Sequence, residues 1–192
     1  MESHTMIFEP RLSEAEFDEL CQRYSDMQFE LTKEGVIRMM TPAGNESSEA
    51  NSEIIAQLRA WWKTHRRGRV FDSNTLFVLP DGSKLGPDAA YITDERLRTI
   101  PREALRGFAP ICPNFVIELL SRTDSEEEAI EKMRNWIANG VELGWLINPY
   151  KKHCFVFRPQ NAFTTGASGL HSSGDPVAGF DLDLTEVWSA FD

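Results

Sequence analysis

Apolar positions recur along this chain with two different periods, and the switches between them mark its elements. Ser13-Glu14-Ala15-Glu16 has the form of a capping box, and Phe17, Leu20, Cys21 and Tyr24 follow at helical spacing. An amphipathic helix is therefore predicted from Ser13 onward. Residues 28–31 and 36–40, around Lys33-Glu34-Gly35, predict a hairpin. Thr41-Pro42-Ala43-Gly44-Asn45 breaks the pattern. Ile54, Ile55, Leu58, Trp61 and Trp62 then form one broad face of a second helix over about residues 48–63. Strand-like runs at 70–72 and 75–79 are followed by the turn Pro80-Asp81-Gly82-Ser83 and a short strand at 89–92.

The stretch 93–113 is polar and interrupted by Pro101, Pro110 and Pro113, which predicts a loop with one helical turn or two. Phe115-Val116-Ile117-Glu118-Leu119-Leu120 is the most apolar run, and its continuity predicts a strand buried on both faces. A helix over about 125–139 follows, closed by Gly140. Residues 145–148 and 153–157 predict a closing hairpin around Pro149-Tyr150-Lys151-Lys152. Residues 160–174, rich in Gly, Ser, Thr and Asn, predict an exposed loop, and Asp181-Leu182-Asp183-Leu184 leads into a short terminal helix. The fold class is mixed α/β (α+β), a central mixed sheet flanked by helices, in one domain over 1–192 with no internal repeat.

Composition narrows the function classes. The 192 residues are 41% hydrophobic and 26% charged, the balance of an ordinary soluble globular protein. No apolar stretch is long enough to span a bilayer and the N-terminus lacks a secretory pattern, so no membrane partner is expected. Cys21, Cys112 and Cys154 are scattered and form no C-x-x-C pair, which points to a reducing compartment and the cytoplasm. The net charge of −10 argues against a broad, sequence-independent grip on nucleic acid. Positive charge nevertheless concentrates in Arg59, Lys63, His65, Arg66, Arg67 and Arg69, and again in Arg96, Arg98, Arg102 and Arg106. For the first run the simpler reading is a solvated helix end complementing the helix dipole.

Two carboxylates carry the candidate chemistry. On its strand Glu118 shares a face with Val116 and Leu120, and an ionised carboxylate there is costly unless a cation, a metal or hydrogen-bond donors compensate it. Asp88, in Leu85-Gly86-Pro87-Asp88, is the leading candidate to help hold such a partner. Glu30 alternates away from Phe29 and Leu31 and could add a third acidic oxygen. Lys132, on the helix after the Glu118 strand, could reach back toward the site. Acids that hold magnesium, with a lysine that orients water or offsets charge, are what metal-dependent phosphodiester hydrolysis requires. A histidine-based hydrolase finds little support. His4, His65, His153 and His171 lack metal-ligand spacing, and Ser121 has no G-x-S-x-G context.

These residues sit in blocks that resemble a known family. Phe29-Glu30-Leu31 through Gly35-Val36-Ile37, Met40-Thr41-Pro42, Pro87-Asp88-Ala89-Ala90, Pro113 to Ser121 with its I-E-L-L-S run, Lys132, and Gly140-Val141-Glu142-Leu143-Gly144-Trp145-Leu146-Ile147 are similar to the Uma2 family (DUF820) of restriction-endonuclease-like proteins. The resemblance covers residues 8–158 as an endonuclease-like core and leaves 159–192 as a C-terminal loop and short helix. It implies a PD-(D/E)XK nuclease core in which Asp88 and Glu118 hold Mg²⁺ (or Mn²⁺) and Glu30 is the upstream acid. DNA is the implied substrate and a homodimer the implied assembly. The pattern departs at one place: the lysine expected two residues after the acid is Leu120, and the resemblance suggests that Lys132 has taken its role. Glu49 and Glu53 stand as alternative upstream acids, with Asn51 as a further polar contributor. A catalytically inactive binding or regulatory module on the same fold is the alternative reading.

Overall fold

The computed structural model describes residues 4–7, 12–40, 43–166, 169–172 and 174–192. The break expected at Thr41-Pro42 lies outside them. The central layer is a six-stranded sheet. Its order is β11 (Asn161–Gly166), β10 (His153–Arg158), β9 (Leu143–Asn148), β8 (Phe115–Leu119), β7 (Ala89–Ile92) and β4 (Arg69–Asp72). Only β8 and β9 are parallel, joined through helix α4 (Glu126–Ala138), the next after the short α3 (Asp94–Leu97), so the sheet is mixed as the pattern predicts.

Alternation along β8 divides the core. Phe115, Ile117 and Leu119 face helix α2 (Asn45–His65), where they pack with Ala50, Ile54 and Leu58. Val116 and Leu120 face α4 and pack with Met133 and Trp136. Burying each such side chain contributes on the order of 1.5–3 kcal/mol, so both helices are held by their apolar stripes rather than by intrinsic helix propensity. Gly144 on β9 leaves room for the end of the Met133 side chain from α4, which an added Cβ would displace.

A second, five-stranded sheet runs in the order β1 (His4–Ile7), β3 (Val36–Met40), β2 (Gln28–Leu31), β6 (Lys84–Leu85) and β5 (Phe77–Val78). Its own small core joins Phe29, Leu31 and Ile37 to Phe17 of helix α1 (Glu14–Arg23), whose capping box at Ser13 forms as expected. Tyr24, placed on that helix stripe by spacing, is instead the exposed C-cap. The chain leaves the second sheet at Leu85 and enters the central one at Ala89, so Gly86-Pro87-Asp88 bridges the two.

Two further expectations change. The second helix begins at Asn45, earlier than its apolar face suggested, with Gly44 as its N-cap. The exposed loop read over 160–174 contains β11 and β12 (Gly169–Ser172), and β12 pairs with β13 (Phe180–Asp183). Its polar composition hid one strand at a sheet edge and one whose apolar contribution is the buried Leu170. Because β11 covers β10, Phe155-Val156-Phe157 lies on an interior strand. The chain closes with helix α5 (Leu184–Ser189), capped by Asp183 and packed on α2. All three cysteines are free thiols, and among the described residues no helix is long and apolar enough to cross a membrane.

Candidate functional site

Where the bridging segment passes the end of β8, three acids and one lysine converge. Each acid is supplied by a different element. Glu118 is carried by β8 on the α4 side, Glu30 by β2 on the side away from Phe29 and Leu31, and Asp88 by the segment entering β7. Lys132 comes from the first half of α4, and its Nζ lies 3.0 Å from Glu118 Oε1 and 2.8 Å from Glu30 Oε1. It also donates to the Gly86 carbonyl at 2.8 Å. Three acceptors thus account for all three ammonium protons.

The remaining contacts fix the acids in place. The Gly86 N–H donates to Glu30 Oε1 at 2.9 Å, the Leu119 N–H to Asp88 Oδ2 at 2.7 Å, and the Trp136 indole N–H to Glu118 Oε1 at 2.8 Å. Asp88 Oδ1 has no protein partner among the described residues. Glu30 is 3% exposed and Glu118 8%, which places both beyond easy hydration, while Asp88 is half-buried.

Burial dominates the electrostatics. It pushes Glu118 up to about 8, against the pull of Lys132 and the Trp136 hydrogen bond, with Asp88 and Glu30 adding repulsion. Burial likewise pushes Asp88 up to about 6, against the Leu119 N–H and Lys132. Lys132 moves the other way: desolvation alone would lower it, but Glu118, Glu30 and Asp88 together hold it well above the ordinary lysine value. Three carboxylates facing one ammonium leave a surplus of two negative charges when all are ionised. That surplus is what a divalent cation would neutralise.

The Uma2 family, described as "Putative restriction endonuclease", matches residues 14–184. The chain belongs to the Uma2 family. A solved structure of "a putative nuclease belonging to DUF820" from Anabaena variabilis ATCC 29413 superposes with a TM-score of 0.75 at 23% identity, over 94% of this chain and 99% of that one. The fold is therefore restriction-endonuclease-like. A comparison with the curated proteins finds no match.

In this Uma2 chain the ammonium beside Glu118 comes from α4 and not from the Glu118 strand. Leu120 belongs to the core under α4, and Lys132 supplies the ammonium from that helix. Of the candidate acids Glu30, Glu49 and Glu53, the structure brings Glu30 to Lys132. Glu49 is exposed, and Glu53 accepts from Gln57 within its own helix at 3.0 Å. Asn51 Oδ1 is buried without a hydrogen-bond partner among the described residues. Its helix neighbours Ala50 and Ile54 share a cluster with Ala89 and Leu119, which adjoin Asp88 and Glu118 in sequence.

Sequence reasoning missed three contributors. Trp136 donates to Glu118 from one turn beyond Lys132, an i, i+4 spacing that puts both on one helix face and could have flagged it. Gly86 binds both Glu30 and Lys132 through its backbone, which no side-chain pattern reveals. Exposed Asp124, held by the Ser121 N–H at 2.7 Å, adds repulsion at Asp88. The histidines stand apart: His65 stacks on Trp61, and His153 pairs with Glu126. The side chains of His4 and His171 lie outside the described residues.

Proposed function

We propose that this Uma2 chain is a Mg²⁺-dependent endonuclease (Mn²⁺ substituting) that hydrolyses phosphodiester bonds in DNA. The observation that carries the reading is the surplus of carboxylate over ammonium in one buried cluster. Among the described residues no group of three or more His, Cys, Asp and Glu side chains is arranged to hold a metal. Asp88 and Glu118 would therefore hold the ion as a pair, with water filling the rest of its shell, a donor set that suits magnesium. Such an ion supplies Lewis acidity to the scissile phosphate and a bound water of lowered pKa.

The protein's own groups have distinct tasks. Glu118 and Asp88 shed their protons before they bind a cation, so both hold the site ready only when ionised. Lys132 stays protonated, because three acids hold its charge, so it serves as a hydrogen-bond donor and fixed positive charge rather than as a base. From there it orients the attacking water or offsets charge on the phosphoryl oxygens. Glu30 and the Gly86 carbonyl position that ammonium. Cutting both strands of a duplex calls for two such sites, so the working species is proposed as a homodimer. The free thiols suit the cytoplasm.

The deciding experiment is calorimetric titration of Mg²⁺ and Mn²⁺ into the protein and into Asp88→Ala and Glu118→Ala, followed by cleavage of supercoiled and linear DNA. Saturable binding lost in both variants, with metal-dependent cleavage lost in parallel, supports the proposal. A folded protein that binds no divalent ion with or without DNA belongs instead to the non-catalytic module, with Lys132–Glu118 as a structural pair.

A further inference from the structure

Three exposed arginines of this acidic chain gather in one place. Arg69 at the start of β4, with Arg102 and Arg106 at the two ends of a 3-10 turn over Arg102–Arg106, line one cleft of about 420 Å³. Leu105 and Glu103 complete the lining. The arginines come from the two separate basic runs of the sequence, which the fold brings together. All three are exposed, and among the described residues none is in an ion pair.

Other arginines of these runs are engaged elsewhere. Arg96, from the same run, donates to the carbonyls of Cys112, Pro113 and Gly140 and pairs with Glu142 at 2.7 Å, so it is a structural clamp. Arg59 and Arg66 lie over the Trp62 ring. In the 3-10 turn, Leu105 packs on the core beneath α4 and leaves Arg102 and Arg106 facing outward. Three guanidiniums held together repel one another, and only Glu103 opposes them inside the cleft. Guanidinium forks match phosphate oxygens two at a time, which makes a phosphodiester the fitting counter-charge.

Strand register measures how far this cleft lies from the acidic site. Arg69 pairs with Ile92 and Asp72 with Ala89, so the cleft opens at the end of β4 remote from Asp88. Ile92 lies four residues beyond Asp88, about 13 Å at roughly 3.3 Å per residue of strand. We infer that the Arg69–Arg102–Arg106 cleft grips the phosphate backbone of a polynucleotide, at the end of β4 remote from Asp88. The inference shares with the proposed function its polynucleotide ligand but does not require that ligand to be cut.

The test is binding of a labelled 20-base-pair DNA duplex in EDTA across a salt series, so that cleavage plays no part. Arg69→Ala/Arg102→Ala/Arg106→Ala should bind about ten-fold more weakly. The slope of log affinity against log salt should fall by about 2.7, at about 0.9 for each of the three phosphates no longer neutralised. Arg134→Ala, which removes one charge from α4, should keep the wild-type slope. Exposed arginines are replaced, so the melting temperature should stay unchanged. Wild-type affinity and slope in the folded triple variant would overturn the inference, and so would a wild type that does not bind the duplex. A wild type that binds through these arginines yet never cleaves with Mg²⁺ or Mn²⁺ leaves the inference standing and removes the nuclease reading alone.

Discussion

Lys132 and Glu30 meet at 2.8 Å although one belongs to a helix on the central sheet and the other to the second sheet. The contact, together with the 3.0 Å approach to Glu118, makes one ammonium the counter-ion of two buried carboxylates. Lys132→Met keeps the aliphatic stem and removes the charge. Stranding buried acids in this way costs about 3–5 kcal/mol. Denaturant melts should show the loss at pH 8 and a smaller one at pH 5, where Glu118 holds its proton. An equal loss at both pH values would mean that packing, not charge, is what Lys132 supplies.

The raised acids give metal-free stability a defined pH dependence. Asp88 moves from an ordinary 3.8 to about 6 and Glu118 from 4.5 to about 8. Between those limits the native state binds more protons than the unfolded chain, so these two groups stabilise fully below about pH 4 and lose that contribution as pH rises. Thermal melts should fall in two stages, through about pH 6 and about pH 8. Asp88→Asn should flatten the first stage and Glu118→Gln the second. Stability that climbs with pH across this window in the wild type would contradict the assignment.

Divalent-ion affinity should run opposite to stability. Both carboxylates must lose their protons to bind a cation, so affinity rises with pH through the same two values. Calorimetry at pH 5.5 and 8.5 checks this, and a pH-independent affinity would place the ion elsewhere.

Trp136→Phe removes the indole donor to Glu118 and preserves most of the ring volume. Leaving that buried oxygen with one fewer partner costs about 1–3 kcal/mol. The same change should move the upper stage of the pH–stability curve higher, because the hydrogen bond lowers the Glu118 pKa. A stability loss with an unmoved curve would reduce Trp136 to a packing residue.

Gly86→Ala tests the bridge between the sheets. A Cβ there would meet the Thr75 carbonyl at 2.9 Å, a backbone atom that has little room to yield. We expect about 1–3 kcal/mol of destabilisation and weaker Mg²⁺ binding, since the same segment carries Asp88. Gly107→Ala, which meets nothing within 4 Å, is the control and should change neither.

Much of this was legible in the chain itself. The β8 run announced a strand buried on both faces, and alternation alone put Glu118 on the face of Val116 and Leu120 and Glu30 away from its apolar neighbours. Lys132 was readable because a helix directly follows that strand. Contacts made by backbone atoms were not: Gly86 has no side chain to signal its hydrogen bonds to Glu30 and Lys132. The strands of 161–166 and 169–172 escaped because edge positions accept polar residues without loss of pairing. The arginine cleft was half visible, as two basic runs whose adjacency only strand pairing and the 3-10 turn could establish.

Placing the lysine on α4 rather than two residues after Glu118 has a consequence for when the site comes into being. An acid and a lysine on one strand are correctly spaced as soon as that strand extends. Here the spacing depends on a helix settling onto the sheet, with Met133 against the bare backbone of Gly144. A partly assembled chain therefore holds its acids without their cation, and the constellation is complete only once the molecule is.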